Sequence, residues 1–504
     1  MKKQRWRIIA LIAVLVVASF TLFHGIKIYA AYNHGGDADS AHFRTAYPNA
    51  VGTKLDSCTL CHSGGSYTSG GKTTTLGSCQ WCHYKTNYGA DSTPENLQQT
   101  LNPYGLAYKS NWPTLGRTAA ALLAIKDLDS DGDTYANQIE ISAITYPGDA
   151  IDNPGNVPAP SLVLSLEKLE QMAQHTQFLL MNASKSDDSY TEYNGVALEN
   201  LIKAIKLDSA TGITVYAPDG FATYHPFDPS GNPNAYHVFG TYDPSIFYYN
   251  EQADMATNPS TGWCNYSSPS AAGRSNGDEI VNPLDLKMIL AFLRDDEYLT
   301  PGVLNLQNKL DGEGPFRVVP PQKNPGPPDQ RSTASNATDP TVWKWPYNLA
   351  NDHNAGFSSR TVTMIRVEPL PPGTTDINTM EAGWPYVDEK KIMIYGSIDP
   401  YPVNNLNTHL DFLINAIQSQ DDAAFKVKSQ KTALVEKIRA LKQQAAAGAY
   451  SGALKKLQED ILKKMDGYLS GAVDANDWIK DLGVQKQLCS EIQTIWITLI
   501  VLGA

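Results

Sequence analysis

The sequence predicts a multidomain protein with a small N-terminal domain, a central α+β domain and a C-terminal α-helical bundle. The chain has 504 residues, which is too long for one ordinary domain. A stretch rich in Pro, Gly and Asn at 151–161 separates a segment poor in apolar residues from one in which strand and helix patterns alternate. After residue 405, apolar residues recur three and four positions apart, which is typical of amphipathic helices. The predicted units are a leader at 1–30, the N-terminal domain at 31–150, a linker at 151–161, the central α+β domain at 162–400 and the C-terminal bundle at 405–504.

The first 30 residues have the order of a secretory signal peptide. Four basic residues within the first seven precede an apolar run at 8–23, and Ala30 and Ala31 follow. An uncleaved anchor is the alternative, but this run is shorter than the roughly 20 residues of a membrane span. We therefore expect residues 1–30 to be removed. The mature chain would then lie in the periplasm or at the surface of a bacterium, or outside the cell, with no stable membrane span.

The net charge of the chain is −12, and it becomes more negative when the basic leader is removed. Such a chain repels phosphate backbones, which argues against nucleic acid as a partner. An acidic surface is instead suited to a basic protein partner.

Two C-x-x-C pairs lie between residues 58 and 83, and a histidine directly follows each pair. The six residues are Cys58, Cys61, His62, Cys79, Cys82 and His83. The spacing of the four cysteines also falls within the range of a structural zinc site. However, a zinc ion needs only four ligands, so the two histidines would have no role in such a site.

The repeated C-x-x-C-H pattern is typical of covalent haem attachment. In this motif two thiols bond the haem vinyl groups and the adjacent histidine reaches the iron. Attachment takes place outside the cytoplasm, where the signal peptide would deliver the chain. We therefore predict two covalently bound haem c groups, with His62 and His83 as axial ligands of the irons.

The second axial position of each iron is open to two interpretations. His34 and His42 lie just upstream of the motifs and are the nearest other imidazoles in the sequence. If they fill these positions, the haems would be low-spin and suited to electron transfer. A vacant position would instead permit chemistry on a small ligand.

The N-terminal domain offers little apolar material. The segment 34–115 is poor in apolar residues, and 63–78 consists almost entirely of Gly, Ser, Thr and Lys. We therefore predict a loop over 63–78. We also expect the two porphyrins to form the core of a haem-stabilised domain, which would not fold without them.

The segment 127–140, DLDSDGDTYANQIE, predicts an EF-hand-like calcium loop. Carboxylates at alternate positions converge on one point, which is favourable only around a hard cation. The six ligands would come from the side chains of Asp129, Asp131, Asp133, Asn137 and Glu140 and the carbonyl group of Tyr135.

Two features leave alternatives open at this loop. Loop position 6 is Thr134 rather than glycine, although the turn there favours glycine. A register that begins at Asp127 places Gly132 at position 6, but it puts Gln138 where a bidentate glutamate is needed. An acidic surface turn without a cation is the remaining interpretation.

The central region begins with strand, short-helix and strand patterns over 162–184. A helical pattern follows over 193–205, and 213–225 predicts a hairpin that turns at Asp219–Gly220. The last strand is predicted within 358–370. The order of these elements is that of an α+β domain.

Residues 160–370 resemble the molybdopterin-binding domain of the sulfite oxidase superfamily. The matching segments are 166–169, 195–198, 219–221, 289–291 and 314–320. The resemblance implies a helix at 289–291 and a sulfite-oxidase-like fold. The family's metal-binding cysteine segment has no counterpart here, and Cys264 is the only thiol in the region. We therefore expect the fold without its molybdenum cofactor.

The tract Gly312-Glu313-Gly314-Pro315, together with the two C-x-x-C-H motifs and the acidic loop, resembles a family of bacterial GEGP-motif diheme c-type cytochromes. This resemblance extends over most of the mature chain and implies cytochrome character. It implies no particular substrate.

The C-terminal bundle is predicted from four helical stretches at 408–417, 431–444, 453–465 and 485–500. The final apolar stretch, 495–502, is too short to span a bilayer and is expected to face a core. Cys264 is interpreted either as a buried thiol or as the disulfide partner of Cys489.

Together these features predict an exported diheme c-type cytochrome that transfers electrons to or from a basic redox partner protein. The sequence contains no nucleophile-elbow, zinc-protease or Walker motif that would indicate an enzyme. A haem- or molybdenum-dependent oxidoreductase remains one alternative. A surface binding or structural protein in which the haems are secondary is another.

Overall fold

The computed structural model shows a mixed α+β architecture with two main sheets and a set of C-terminal helices. It describes residues 38–56, 59–62, 65–69, 72–76, 101–183, 188–229, 235–243, 264–265, 268–274, 278, 280–304, 310–324 and 352–504. The predicted combination of an α+β centre with C-terminal helices is confirmed at this level. The expected signal peptide lies outside the described residues.

The N-terminal region consists of short helices around a small core. The helices are α1 (Ala38–Ala46), α2 (Thr59–His62), α3 (Pro103–Ser110), α4 (Trp112–Leu115), α5 (Ala119–Leu123) and α6 (Asn137–Ala143). Between α2 and α3, strands β1 (Gly65–Ser69) and β2 (Lys72–Leu76) form an antiparallel hairpin. The prediction of a loop over 63–78 is therefore wrong. The three consecutive threonines at 73–75 favour a strand, and this preference outweighs the Gly and Ser content.

A buried apolar cluster, here called the N-terminal core, holds these helices together. It contains Phe43, Tyr47, Ala50, Leu55, Leu60, Tyr104, Tyr108, Ala121, Leu122, Ile125, Ile141 and Tyr146. The expectation that porphyrins alone form the core is therefore wrong for the described residues. The core draws five members from beyond residue 115, and its aromatic side chains each bury a large area.

The first main sheet has six strands: β4 (His175–Met181), β5 (Asp188–Ala197), β8 (Cys264–Asn265), β9 (Ile289–Arg294), β10 (Glu297–Tyr298) and β13 (Arg317–Val319). Their order is β10-β9-β5-β4, and in addition β13 pairs with β9 and β8 pairs with β5. The helix implied at 289–291 is therefore wrong, because these residues belong to β9. A short apolar run suits a buried strand as well as a helix, and here the pairing with β5 decides.

The second main sheet has five strands: β3 (Ser161–Ser165), β6 (Gly212–Tyr216), β7 (Ala222–Pro226), β14 (Met364–Glu368) and β15 (Lys391–Gly396). Their order is β3-β15-β14-β6-β7. The hairpin predicted at Asp219–Gly220 is confirmed, with β6 and β7 antiparallel. The strand β14 is present, but β15 follows it, so β14 is not the last strand. A separate pair, β11 (Val303–Leu304) and β12 (Leu310–Asp311), is also antiparallel.

The two main sheets share one apolar core, here called the central core. Leu180 and Leu290 enter it from the six-stranded sheet, and Ile213 and Ile365 from the five-stranded sheet. Helices α7 (Leu166–Glu170) and α8 (Leu198–Ile205) also pack into it, while α9 (Trp384–Asp388) precedes β15. The helix predicted within 193–205 therefore begins only at Leu198, after a strand.

The C-terminal helices are α10 (Val403–Ser419), α11 (Lys428–Ala446), α12 (Tyr450–Lys456) and α13 (Leu482–Val501). Helix α13 contributes to two cores. Ile497 and Ile500 pack into the central core, whereas Ile495 and Leu499 pack among the C-terminal helices. The expectation that 495–502 faces a core is thus confirmed for these four side chains, and the bundle is fastened to the sheets through its last helix.

Cys489 on α13 is a free, buried cysteine whose Sγ lies 3.4 Å from the carbonyl oxygen of Met465. Of the two interpretations of Cys264, the disulfide with Cys489 is therefore wrong. The backbone of Cys264 lies in β8 of the six-stranded sheet, whereas Cys489 is buried among the C-terminal helices.

An ion-pair cluster joins the N-terminal and central regions. The Lys54 Nζ atom lies 2.7 Å from Asp152 Oδ2 and 3.0 Å from Glu381 Oε1. The segment predicted as a linker is also bonded to the central region, because the Ala159 amide donates to the Thr375 carbonyl group at 3.0 Å. Both contacts restrict how the N-terminal region sits on the sheets.

Candidate functional site

The acidic loop at 129–140 is folded around Asp129. The carboxylate of Asp129 accepts the backbone amides of Gly132, Asp133 and Thr134 at 2.8, 3.1 and 2.9 Å. This tight turn brings the carboxylates of Asp129, Asp131 and Asp133 together, with one oxygen of each within 4.8 Å of the others. The register that begins at Asp129 therefore places three acidic side chains around one point.

Glu140 adds a fourth carboxylate from the first turn of α6. Its side chain is fully buried, and among the described residues neither carboxylate oxygen has a hydrogen-bond partner. Burial, followed by repulsion from Asp131, Asp133 and Asp129, raises the pKa of Glu140 to about 9. A buried carboxylate without a donor is costly beside three others unless a cation neutralises them.

Asp131 is also a buried carboxylate with a raised pKa, although the increase is smaller than for Glu140. Both of its carboxylate oxygens are buried and, within the part of the chain that the structure describes, without a hydrogen bond. Burial and then the nearby Asp133 raise the pKa of Asp131 to about 6. The carboxylates of this loop are thus mutually unfavourable in the metal-free chain.

The two remaining predicted ligands lie in the same loop. Asn137 is fully buried, and its Nδ2 atom donates to the Ile125 carbonyl group at 2.7 Å, while its Oδ1 atom has no partner among the described residues. The Tyr135 amide donates to Asp133 Oδ1 at 2.8 Å. Oxygen donors of this kind and number suit Ca²⁺, so these residues could hold it.

Thr134 occupies a strained position in this loop, with a φ of 84°. A β-branched residue is disfavoured in this region, whereas glycine adopts it readily. We expect Thr134→Gly to raise the free energy of unfolding by roughly 0.5–1 kcal/mol, because relief of strain exceeds the added chain entropy. Urea denaturation in the presence of calcium would measure this change. Thr114→Gly is the control, because Thr114 occupies an exposed helical position where glycine should lower the free energy of unfolding. An equal decrease in the free energy of unfolding of both variants would contradict the prediction.

The first C-x-x-C-H segment lies on α2, which carries Cys61 and His62. Cys61 is half-buried and packs against the N-terminal core. Helix α3 approaches it closely at Gly105, where an added Cβ atom would lie 2.5 Å from the Cys61 carbonyl oxygen. The other predicted attachment residues, Cys58, Cys79 and Cys82, and the predicted axial ligand His83 lie outside the described residues.

Of the two candidate distal ligands, His42 is described and His34 is not. His42 is half-buried on α1, one residue before the core residue Phe43. Helix α1 is bonded to α3, because Tyr108 donates to the carboxylate of Asp39 at 2.9 Å. Helices α1 and α2 therefore both contact α3, so the helix that carries His42 and the helix that carries Cys61 pack into the same small core through Phe43 and Leu60.

The GEGP tract forms a close-packed structural element. Gly312 has a φ of 94°, and a Cβ atom there would lie 2.6 Å from the Pro301 carbonyl oxygen. Glu313 accepts from Arg294 at 2.7 Å and from Arg317 at 2.6 Å. Burial alone would raise the pKa of Glu313, yet the two arginines hold it below its ordinary value. Close packing thus explains the glycine at position 312, and charge pairing with the two arginines explains the glutamate at position 313.

Comparisons with protein-family models, curated proteins and solved structures found no match to this chain. Among the described residues, no helix combines the length and apolar character that crossing a membrane requires.

Sequence reasoning overlooked two features of this region. One is the Lys54 ion-pair cluster, whose members are distant in sequence and give no local signal. The other is Asn102, the N-cap of α3. Asn before Pro is a helix-start signal, so this cap could have been predicted from the sequence alone.

Proposed function

We propose that this protein is an exported diheme c-type cytochrome that transfers single electrons and whose haem-attachment region is stabilised by a calcium ion. The observation that carries this proposal is the C-x-x-C-H motif, which occurs twice behind a signal-peptide pattern. The helical position of Cys61 and His62, with Cys61 packed against the N-terminal core, supports it.

Each haem would be bound through one cysteine pair, Cys58 with Cys61 and Cys79 with Cys82. His62 and His83 would ligate the irons, and His42 and His34 are the proposed second ligands. A bound haem supplies a reversible one-electron couple. The chain contributes attachment, axial ligation and a largely apolar surrounding, which together tune that couple.

Calcium would be held by the loop at 129–140. The support is the converging aspartates and the buried oxygens of Glu140 and Asn137, for which the described residues offer no hydrogen-bond partner. A divalent cation there removes the repulsion among four carboxylates and joins the loop to α6. Its proposed role is structural, because Ile125 and Ile141, which flank the loop, pack in the same core as Leu60 of the first haem motif.

The acidic chain would exchange electrons with a basic redox partner in the periplasm or outside the cell. The central region is proposed to be a sulfite-oxidase-like scaffold without a molybdenum cofactor. The succession of strand, short helix and strand over 161–181 and the hairpin at Asp219–Gly220 support that comparison, whereas the strand at Ile289–Arg294 departs from it.

Metal and haem content test the proposal. Purified protein should contain two irons and one calcium per chain, without zinc or molybdenum, and should show a c-type haem spectrum. Cys58→Ala/Cys61→Ala and Cys79→Ala/Cys82→Ala should each remove one haem, because each pair anchors one porphyrin. Cys489→Ala is the matched control: it removes a free, buried thiol outside both motifs and should leave both haems.

A colourless protein with one zinc per chain would overturn the cytochrome proposal. Molybdenum near one atom per chain would overturn the scaffold proposal and favour an oxidoreductase. High-spin haems in the wild-type protein would show an open iron site rather than the proposed ligands.

A further inference from the structure

Asn102 is a fully buried polar residue between α3 and the first haem-attachment segment. Its Oδ1 atom accepts the Gly105 amide at 2.8 Å and so caps α3. Its Nδ2 atom donates to the Leu60 carbonyl group at 3.0 Å, and its backbone amide donates to the Cys61 carbonyl group at 2.8 Å. One residue therefore holds two consecutive carbonyl groups of α2 in place.

The side-chain amide of Asn102 also lies against the turn that follows α6. A Cβ atom on Gly148 would lie 2.5 Å from Asn102 Nδ2 and 2.7 Å from its Oδ1. The side chain of Asn102 is thus held between this turn and α2, and it has little room to rotate.

The same turn is attached to the acidic loop. The Thr145 amide donates to the Glu140 carbonyl oxygen at 2.9 Å, and the Tyr146 amide donates to Asp152 Oδ2 at 2.9 Å. Glu140 is the last residue of the proposed calcium-binding loop. A continuous series of contacts therefore runs from Glu140 through Gly148 and Asn102 to Cys61.

We propose that Asn102 is a positioning residue that couples a calcium ion in the 129–140 loop to the backbone of the first C-x-x-C-H segment. The inference rests on the calcium site of the proposed function. Calcium would hold Glu140 and the start of α6, and the following turn would press Gly148 against the Asn102 amide. Asn102 would then keep its side-chain hydrogen bond to Leu60 and its backbone hydrogen bond to Cys61. Without calcium the turn loosens and these hydrogen bonds open more often.

Hydrogen exchange of the full-length protein tests this coupling. In the wild-type protein, calcium should slow exchange of the residue 102 amide, which bonds Cys61, by about fivefold to tenfold, the effect of one hydrogen bond. Asn102→Asp keeps the oxygen that caps α3 but loses the donor to Leu60, so the slowing should disappear. Asn111→Asp is the matched control, because Asn111 Nδ2 bonds Ala107 on the same helix, away from the motif.

Gly148→Ala provides a second, independent variant if Asn102→Asp does not fold. Its methyl group should displace the Asn102 amide and also abolish the effect of calcium on exchange. Equal slowing by calcium in all four proteins would overturn the coupling. Absence of calcium binding would overturn both the coupling and the calcium site. Absence of haem would overturn only the cytochrome proposal, since the exchange measurement requires none.

Discussion

Glu140→Gln should have opposite effects on stability in the absence and in the presence of calcium. In a calcium chelator at pH 8, the variant should be more stable than the wild-type protein. Folding of the metal-free wild-type chain requires Glu140 either to take up a proton or to bury its charge beside three aspartates, whereas glutamine requires neither. With saturating calcium it should be less stable. Loss of one carboxylate ligand should weaken calcium binding by at least about tenfold.

The pH dependence of the metal-free protein follows from the same residue. In the folded metal-free chain, burial and then the neighbouring aspartates raise the pKa of Glu140 from 4.5 to about 9. Between these values the folded chain binds more protons than the unfolded chain, so stability falls as the pH rises. The contribution is fully present below pH 4.5 and is lost as the pH passes 9. Its slope is up to about 1.4 kcal/mol per pH unit.

Calcium should flatten this dependence because the cation keeps the carboxylates ionised, and Glu140→Gln should flatten it without calcium. Thermal melting at several pH values, with calcium or with a chelator, measures both effects. Asp127→Asn is the matched control. Asp127 is exposed, pairs with Lys126 at 2.7 Å and belongs to the loop only in the rejected register. If the effects of Glu140→Gln on stability are the same with and without calcium, the loop is only a turn.

Glu313→Ala should destabilise the central region by about 3–5 kcal/mol, the cost of breaking a buried ion pair. Arg317 is 8% exposed, and besides Glu313 it donates to the Tyr193 hydroxyl group at 2.7 Å and to Ser358 Oγ at 2.7 Å. Removal of Glu313 leaves the buried guanidinium without its main counter-charge. The effect should appear as a lower denaturation midpoint and as faster hydrogen exchange in β9 and β13, which carry Arg294 and Arg317.

A double variant separates charge pairing from packing. Glu313→Ala/Arg317→Met should recover part of the loss, because neither charge then remains buried. Glu389→Ala is the control for an exposed pair, since Glu389 bonds Lys391 at 2.7 Å with both side chains largely in solvent. That change should cost less than about 1 kcal/mol. A double variant no more stable than Glu313→Ala would show that the arginine itself carries no uncompensated charge.

The GEGP tract thus has a structural explanation that its sequence did not reveal. The resemblance that it supports concerns cytochromes, yet the described contacts of Gly312 and Glu313 are with the backbone and with arginines of the central region. Glu313 pairs both with Arg317, four residues later in the chain, and with Arg294 on the neighbouring strand β9. Only the pairing of β9 with β13 brings the two arginines to the same carboxylate.

The sequence by itself determined the features that depend on neighbouring residues. Alternating aspartates predicted the convergence seen at 129–133, Asp-Gly predicted the hairpin at 219–220, and apolar spacing predicted the C-terminal helices. In each case the controlling interactions lie within a few residues: a side chain that caps its own turn, a glycine in a turn, or one face of a helix.

Only the tertiary structure decided which groups are buried and what they contact. The run at 289–294 became a strand because β5 and β13 flank it, and Cys489 remained a free thiol among the C-terminal helices. Glu140 appeared in sequence only as a candidate ligand. Its complete burial, which makes a cation favourable there, depends on how distant parts of the chain pack together. Burial and long-range pairing are properties of chain segments distant in sequence, so local patterns cannot specify them.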